Sequence, residues 1–204
     1  MELAVLSESS ADEAGLFAFV QSHVKGPLAR AACPMRVRRG WPAIRDDLGP
    51  ALRAIYHYTS AQCLLIVVDA DGAPLDENHP NDRLTQLNEI VGRSLRINRQ
   101  DRPPLRVAIG LAVPSIEAWW RAPHDPLITE AAWKARQRPG GAGYTKLSLK
   151  SQLYGTEDPS LASETAVLCN GAAAVAAAAS VLAARFPYGF LPMLREIQSW
   201  DSPL

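Results

Sequence analysis

Four carboxylates stand just after short apolar runs. Glu8 follows Leu3-Ala4-Val5-Leu6, Asp69 and Asp71 follow Leu64-Leu65-Ile66-Val67-Val68, and Glu117 comes after Val107-Ala108-Ile109-Gly110-Leu111-Ala112-Val113. Carboxylates gathered in one small space raise one another's pKa unless a cation neutralises them. Oxygen donors without His or Cys select Mg²⁺, Mn²⁺ or Ca²⁺ over zinc. Asp69 and Asp71 are two apart across the small Ala70, so on an extended chain both lean toward one ion, and Gly72 permits a sharp turn next. Such a set supports phosphoryl transfer, with metal ions clamping the attacking and leaving oxygens. One D-x-D alone is an ordinary strand end; three acidic run ends in one chain are the informative feature.

The elements that must position these acids follow from the pattern around them. None of the three runs alternates apolar with polar, as expected of strands covered by helices on both faces. Between them, residues 12–24, 44–58 and 81–95 have helical character, with Ser10-Ala11-Asp12-Glu13 and Asn81-Asp82 as helix starts. Strands alternating with helices predict an α/β fold with a mostly parallel sheet flanked by helices. Ligands bind such sheets outside the carboxyl ends of the strands, which is where Glu8, Asp69, Asp71 and Glu117 would converge. A further strand is expected at 35–39 and a flexible loop at 136–143, around Pro139-Gly140-Gly141. An alanine-rich helix over 167–184 and a shorter one over 191–200 form a helical C-terminal extension. One domain over 1–204 is expected, with the sheet and acidic motifs in 1–122 and the loop and helices in 123–204.

Bulk composition narrows the classes. The 204 residues are 48 % hydrophobic and 21 % charged, which is globular and not disordered. Lys+Arg and Asp+Glu number 21 each, so no basic excess holds nucleic acid by bulk charge, and a near-neutral surface favours association with itself or a partner. Cys33, Cys63 and Cys169 show neither a disulfide framework nor zinc spacing. The start has no basic segment followed by a long apolar one, so the cytoplasm is the expected compartment. From 167 to 184 the only polar side chains are Cys169, Asn170 and Ser180, yet alanine has little hydrophobic drive, and a packed helix is expected there instead of a membrane span.

The order of motifs resembles the Toprim fold of primases, topoisomerases, ribosomal-RNA maturases and overcoming-lysogenization-defect nucleases. Leu6-Ser7-Glu8-Ser9-Ser10-Ala11-Asp12-Glu13 resembles that family's V-E-G-x-[ST]-[DE] opening, with Ser9 where Gly is usual, and Ile66-Val67-Val68-Asp69-Ala70-Asp71 its hhhDxD. Ala112-Val113-Pro114-Ser115-Ile116-Glu117-Ala118-Trp119 resembles the S-x-E element of the nuclease branch. It is closer still to the A-V-P-x-x-E-A-W stretch of small stand-alone Toprim-like proteins encoded beside ATPases in bacterial defence loci, whose closing motif Arg185-Phe186-Pro187-Tyr188-Gly189-Phe190 also resembles. The resemblance implies a Toprim-like Rossmannoid fold and two Mg²⁺ or Mn²⁺ ions. It implies that Glu8 contacts a metal or acts as general base, that Asp69 and Asp71 hold the first ion, and that Asp12, Ser115 and Glu117 serve the second. It also implies a lysine that stabilises charge on the phosphate, for which Lys146 and Lys150 are both candidates.

The function expected is metal-dependent hydrolysis of DNA or RNA, by a subunit working with a separately encoded ATPase or sensor in anti-phage defence, with no membrane and a possible homo-oligomer. The rival is a catalytically silent regulatory or scaffolding subunit of the same fold. A nucleotide-binding domain is disfavoured, since neither G-x-G-x-x-G nor G-x-x-x-x-G-K-[ST] is present. Other residues carry bland and sharp readings side by side. His79 is a loop histidine or a substrate contact. Trp119 and Trp120 pack in the core and at its rim, or stack on bases. Arg36, Arg38 and Arg39, with Lys134, Arg136 and Arg138, are solvated charge or track a phosphate backbone.

Overall fold

Val5 and Leu6, the middle of Cys63–Asp69 and the end of Arg106–Ala112 are apolar on both sides because helices cover both faces of the sheet they form. A computed structural model describes residues 1–35, 40–95, 103–136 and 143–201. Its elements in order are β1 (Glu2–Leu6), α1 (Ser10–His23), β2 (Ala29–Arg30), α2 (Trp41–Tyr58), β3 (Cys63–Asp69), α3 (Arg83–Ser94) and β4 (Arg106–Ala112). Then follow α4 (Ile116–Arg121), α5 (Glu130–Arg136), α6 (Lys146–Tyr154), α7 (Leu161–Ala177), α8 (Ala179–Arg185) and α9 (Leu191–Ser199). The four strands form one all-parallel sheet in the order β2-β1-β3-β4. This is the α/β fold with a parallel sheet and C-terminal helices that the pattern predicts.

Register aligns the acidic ends. Leu6 pairs with Ile66, and Asp69 with Ala112, so β3 runs past the end of β1 and stops level with β4. The outer strand β4 is tied down by the C-terminal segment, with the Leu111 amide donating to the Gly189 carbonyl at 3.2 Å. Buried Glu130 holds that segment, its carboxylate accepting from the Tyr188 and Gly189 amides at 2.9 and 2.8 Å. Phe186, Phe190, Met193 and Ile197 extend the same core as the strands, and Phe190 packs edge-on against Trp119.

Several expectations need correction. The strand expected at 35–39 falls almost wholly outside the described residues, as does most of the loop at 136–143. The strand beside β1 is Ala29–Arg30, which the apolar pattern does not mark. The alanine-rich helix is broken, since α7 and α8 meet at an 86° bend at Ala178. No single helix among the described residues is long and apolar enough to cross a membrane, although that bent pair has the composition. Trp119 and Trp120 are both buried, Trp120 donating its indole N–H to the Leu168 carbonyl at 2.9 Å, so neither is placed to stack on a base. His79 accepts from the Asn81 amide at 3.1 Å and so shapes its own turn.

Candidate functional site

Each acid reaches the sheet edge by its own local route. Ser9 caps α1, its hydroxyl accepting from the Asp12 amide at 3.0 Å, which sets Asp12 in the first helical turn behind Glu8. The Ser9 backbone is extended, φ −139°, a conformation open to any residue, so glycine is not needed there. Asp69 is the last residue of β3. Asp71 is not extended as expected: it takes the left-handed conformation at φ 48°, and the turn begins there and not at Gly72. Aspartate tolerates this region better than most residues, and the Asp71 amide is satisfied by the Pro114 carbonyl at 2.8 Å. Ser115 precedes α4 and Glu117 lies in its first turn.

Two clusters result. In the first, Glu8 accepts from the Asp69 amide at 3.1 Å and Asp69 accepts from the Ile116 amide at 3.0 Å. Lys146 bridges Asp69 and Asp71, with Nζ 2.7 Å from an oxygen of each. Arg83 adds a second cation, 3.0 Å from Asp71 and 3.8 Å from Glu8, and also donates to the Asp69 carbonyl. The second cluster gathers Asp12, Glu117 and Glu164, with Lys150 Nζ 3.9 Å from Glu117 and 3.5 Å from Glu164. Both expected lysines are therefore at the edge, one per cluster, a helical turn apart on α6.

Burial and crowding set the protonation. Burial raises Glu8 above the usual carboxylate range. It pushes Asp12 up to about 7, with Glu117, Glu164 and Glu8 adding to the effect. Asp69 is also held high by burial, against the pull of Lys146 and with Glu117, Asp12 and Glu8 opposing its charge, so the two clusters feel one another. Asp71 is partly buried, but Lys146 and Arg83 outweigh that and hold it low. Lys146 is raised despite burial by Asp69 and Asp71, and stays protonated at any working pH.

The donor set fits a hard divalent cation. All the candidate ligands are oxygens, and Glu117 Oε2 and Ser115 Oγ are buried with no hydrogen-bond partner among the described residues. Three or more of the acids do not close on one point as a ready-made metal cluster among the described residues. Lys146, Arg83 and Lys150 stand between them instead.

Residues that the motifs did not mark are Arg83, Glu164 and Tyr154, whose phenol is raised by burial beside Glu117, Asp12 and Glu164. Arg83, directly after the Asp82 cap of α3 and stacked over Trp41, had a signal in that cap; Glu164 and Tyr154 had none. Of the basic groups, Lys134 lies over Tyr188 and Arg136 over Trp133, while Arg36, Arg38, Arg39 and Arg138 fall outside the described residues. No family model matches the chain, and neither a curated protein nor a solved structure matches it significantly.

Proposed function

We propose that the protein is a metal-dependent phosphodiesterase that hydrolyses DNA or RNA. The observation that carries this reading is the convergence of Glu8, Asp69 and Asp71 with Lys146 at the carboxyl edge of a parallel sheet, beside the buried oxygens of Ser115 and Glu117. The Toprim resemblance of the motifs points the same way. Glu8, Asp69 and Asp71 would hold one Mg²⁺ or Mn²⁺, and Asp12, Ser115 and Glu117 a second. Such ions supply a nucleophilic water at neutral pH and neutralise the phosphate.

The chain's own groups then divide the work. Glu8, its carboxyl raised by burial, is suited to take a proton from the attacking water. Lys146, permanently charged and 38 % exposed, is suited to hold negative charge developing on a phosphate oxygen. Arg83, fixed by Asp71 and the Asp69 carbonyl, steadies the D-x-D turn. By analogy with the small Toprim-like proteins of defence loci, the partner would be a separately encoded ATPase or sensor and the compartment the cytoplasm.

The test is incubation with plasmid, single-stranded DNA and a tRNA pool in Mg²⁺, Mn²⁺ or EDTA, with Asp69→Ala alongside. Cleavage that needs metal and vanishes in the variant is expected. Cleavage that persists in EDTA or in Asp69→Ala would overturn it.

One observation favours a second reading, a catalytically silent regulatory or scaffolding subunit: Lys146 already neutralises Asp69 and Asp71, as a structural ion pair would. The two separate by metal-induced thermal stabilisation, expected of a working site and absent from a silent one.

A further inference from the structure

Glu164, in the first turn of α7, is a carboxylate of the second cluster that none of the acidic motifs marks. The packing of α7 on α1 brings it there. Gly15 makes the approach possible, since a Cβ at that position would stand 2.6 Å from the Cβ of Leu168. Trp120 of α4 fixes the same stretch of α7 through its bond to the Leu168 carbonyl.

Glu164 and Glu117 consequently face one point from different helices, both within 4 Å of Lys150 Nζ. Asp12 lies close enough to be opposed by the charge of each. One ammonium thus serves Glu117 and Glu164, with Asp12 beside them, and leaves oxygens unsatisfied. Glu117 Oε2 is buried without a hydrogen-bond partner among the described residues, on a residue only 4 % exposed, and Ser115 Oγ is in the same condition at 0 %. Buried polar atoms in native proteins are almost always partnered, so these two oxygens beside the second cluster are open to a further partner. A protonated lysine contacts oxygens at the 3.5 and 3.9 Å seen here, whereas a divalent cation draws them to about 2.0–2.6 Å and carries twice the charge.

We propose that Glu164 is a further ligand of the second cation, joining Asp12, Ser115 and Glu117 in an all-oxygen site. Lys150 is the internal counter-ion that the cation displaces. This inference rests on the metal-dependent reading above, and it makes the C-terminal helices part of the site.

The test is Mn²⁺ titration of the full chain, followed by the electron paramagnetic resonance signal of free Mn²⁺, with wild type, Glu164→Gln and Glu164→Asp. Wild type is expected to bind two ions. Glu164→Gln should keep one at unchanged affinity and weaken the other at least tenfold, and Glu164→Asp, which keeps the charge, should fall between. Far-UV circular dichroism confirms that the variants are folded. Wild type that binds a single ion, or Glu164→Gln that binds two as tightly as wild type, overturns the inference and leaves the first site standing. Wild type that binds none overturns both this inference and the metal-dependent reading.

Discussion

Asp12 shows most directly what the site costs the fold. Its carboxyl is raised from 3.8 to about 7, chiefly by burial, so the folded state resists its ionisation. Below pH 3.8 both folded and unfolded chains carry the proton and nothing is lost. Between there and about pH 7 the unfolded chain gives up its proton first and stability falls. Above pH 7 the loss is complete, on the order of 4 kcal/mol. Asp12→Asn in EDTA should therefore melt higher than wild type at pH 8, with the difference shrinking toward pH 4; an equal difference at both would contradict the cause given. Lys146 predicts the opposite sign. Lys146→Met leaves Asp69 and Asp71 without their shared ammonium and should lower stability in EDTA by about 1–3 kcal/mol, the half-open position of the pair tempering the loss. Added Mg²⁺ should then stabilise Lys146→Met more than wild type, because no ammonium competes for the two carboxylates. Thermal melts across a Mg²⁺ series measure this.

At the scale of elements, helix starts do the positioning. Ser9→Ala should cost about 1 kcal/mol through the lost α1 cap, and Ser9→Gly only a few tenths, since glycine serves nearly as well at an N-cap. Urea unfolding of the two variants separates these magnitudes. What could be read from the sequence also sorts by element. β3 and β4 were legible because unbroken apolar runs mean burial on both faces. β2 was not, since Ala29 and Arg30 are both exposed and make no apolar run. The break at Ala178 could not be read from residues that are the best helix formers known; neither glycine nor proline stands there, and packing of α8 and α9 decides it. The acids at the strand ends were visible because the chain itself announces a strand end. Arg83, marked only by the Asp82 cap before it, and Glu164 lie outside the acidic motifs, because each is delivered by the docking of a helix and not by a strand end.

For the whole molecule, the proposed metal binding would be linked to folding in one equilibrium. A cation that binds only the folded chain stabilises it by mass action, about 2.7 kcal/mol at a hundredfold excess over Kd. For a chain of this length that is a rise in Tm of about 5–10 °C with Mg²⁺, and a smaller one in Asp69→Ala, which loses a ligand of the first ion and keeps the second cluster. Scanning calorimetry with and without EDTA measures both. The zero net charge belongs to this scale too. Without a basic excess, a nuclease of this kind would draw nucleic acid through its site or a partner and not through bulk charge.

The bond from the Leu111 amide to the Gly189 carbonyl ties the outer strand to a segment made far downstream of it. On the ribosome the acidic strand ends emerge early, while Lys146, Lys150, Glu164 and Gly189 are still to be synthesised. The nascent chain then holds its carboxylates with Arg83 but with neither lysine and without the segment that ties down β4. Only a chain translated through α9 can assemble the whole arrangement.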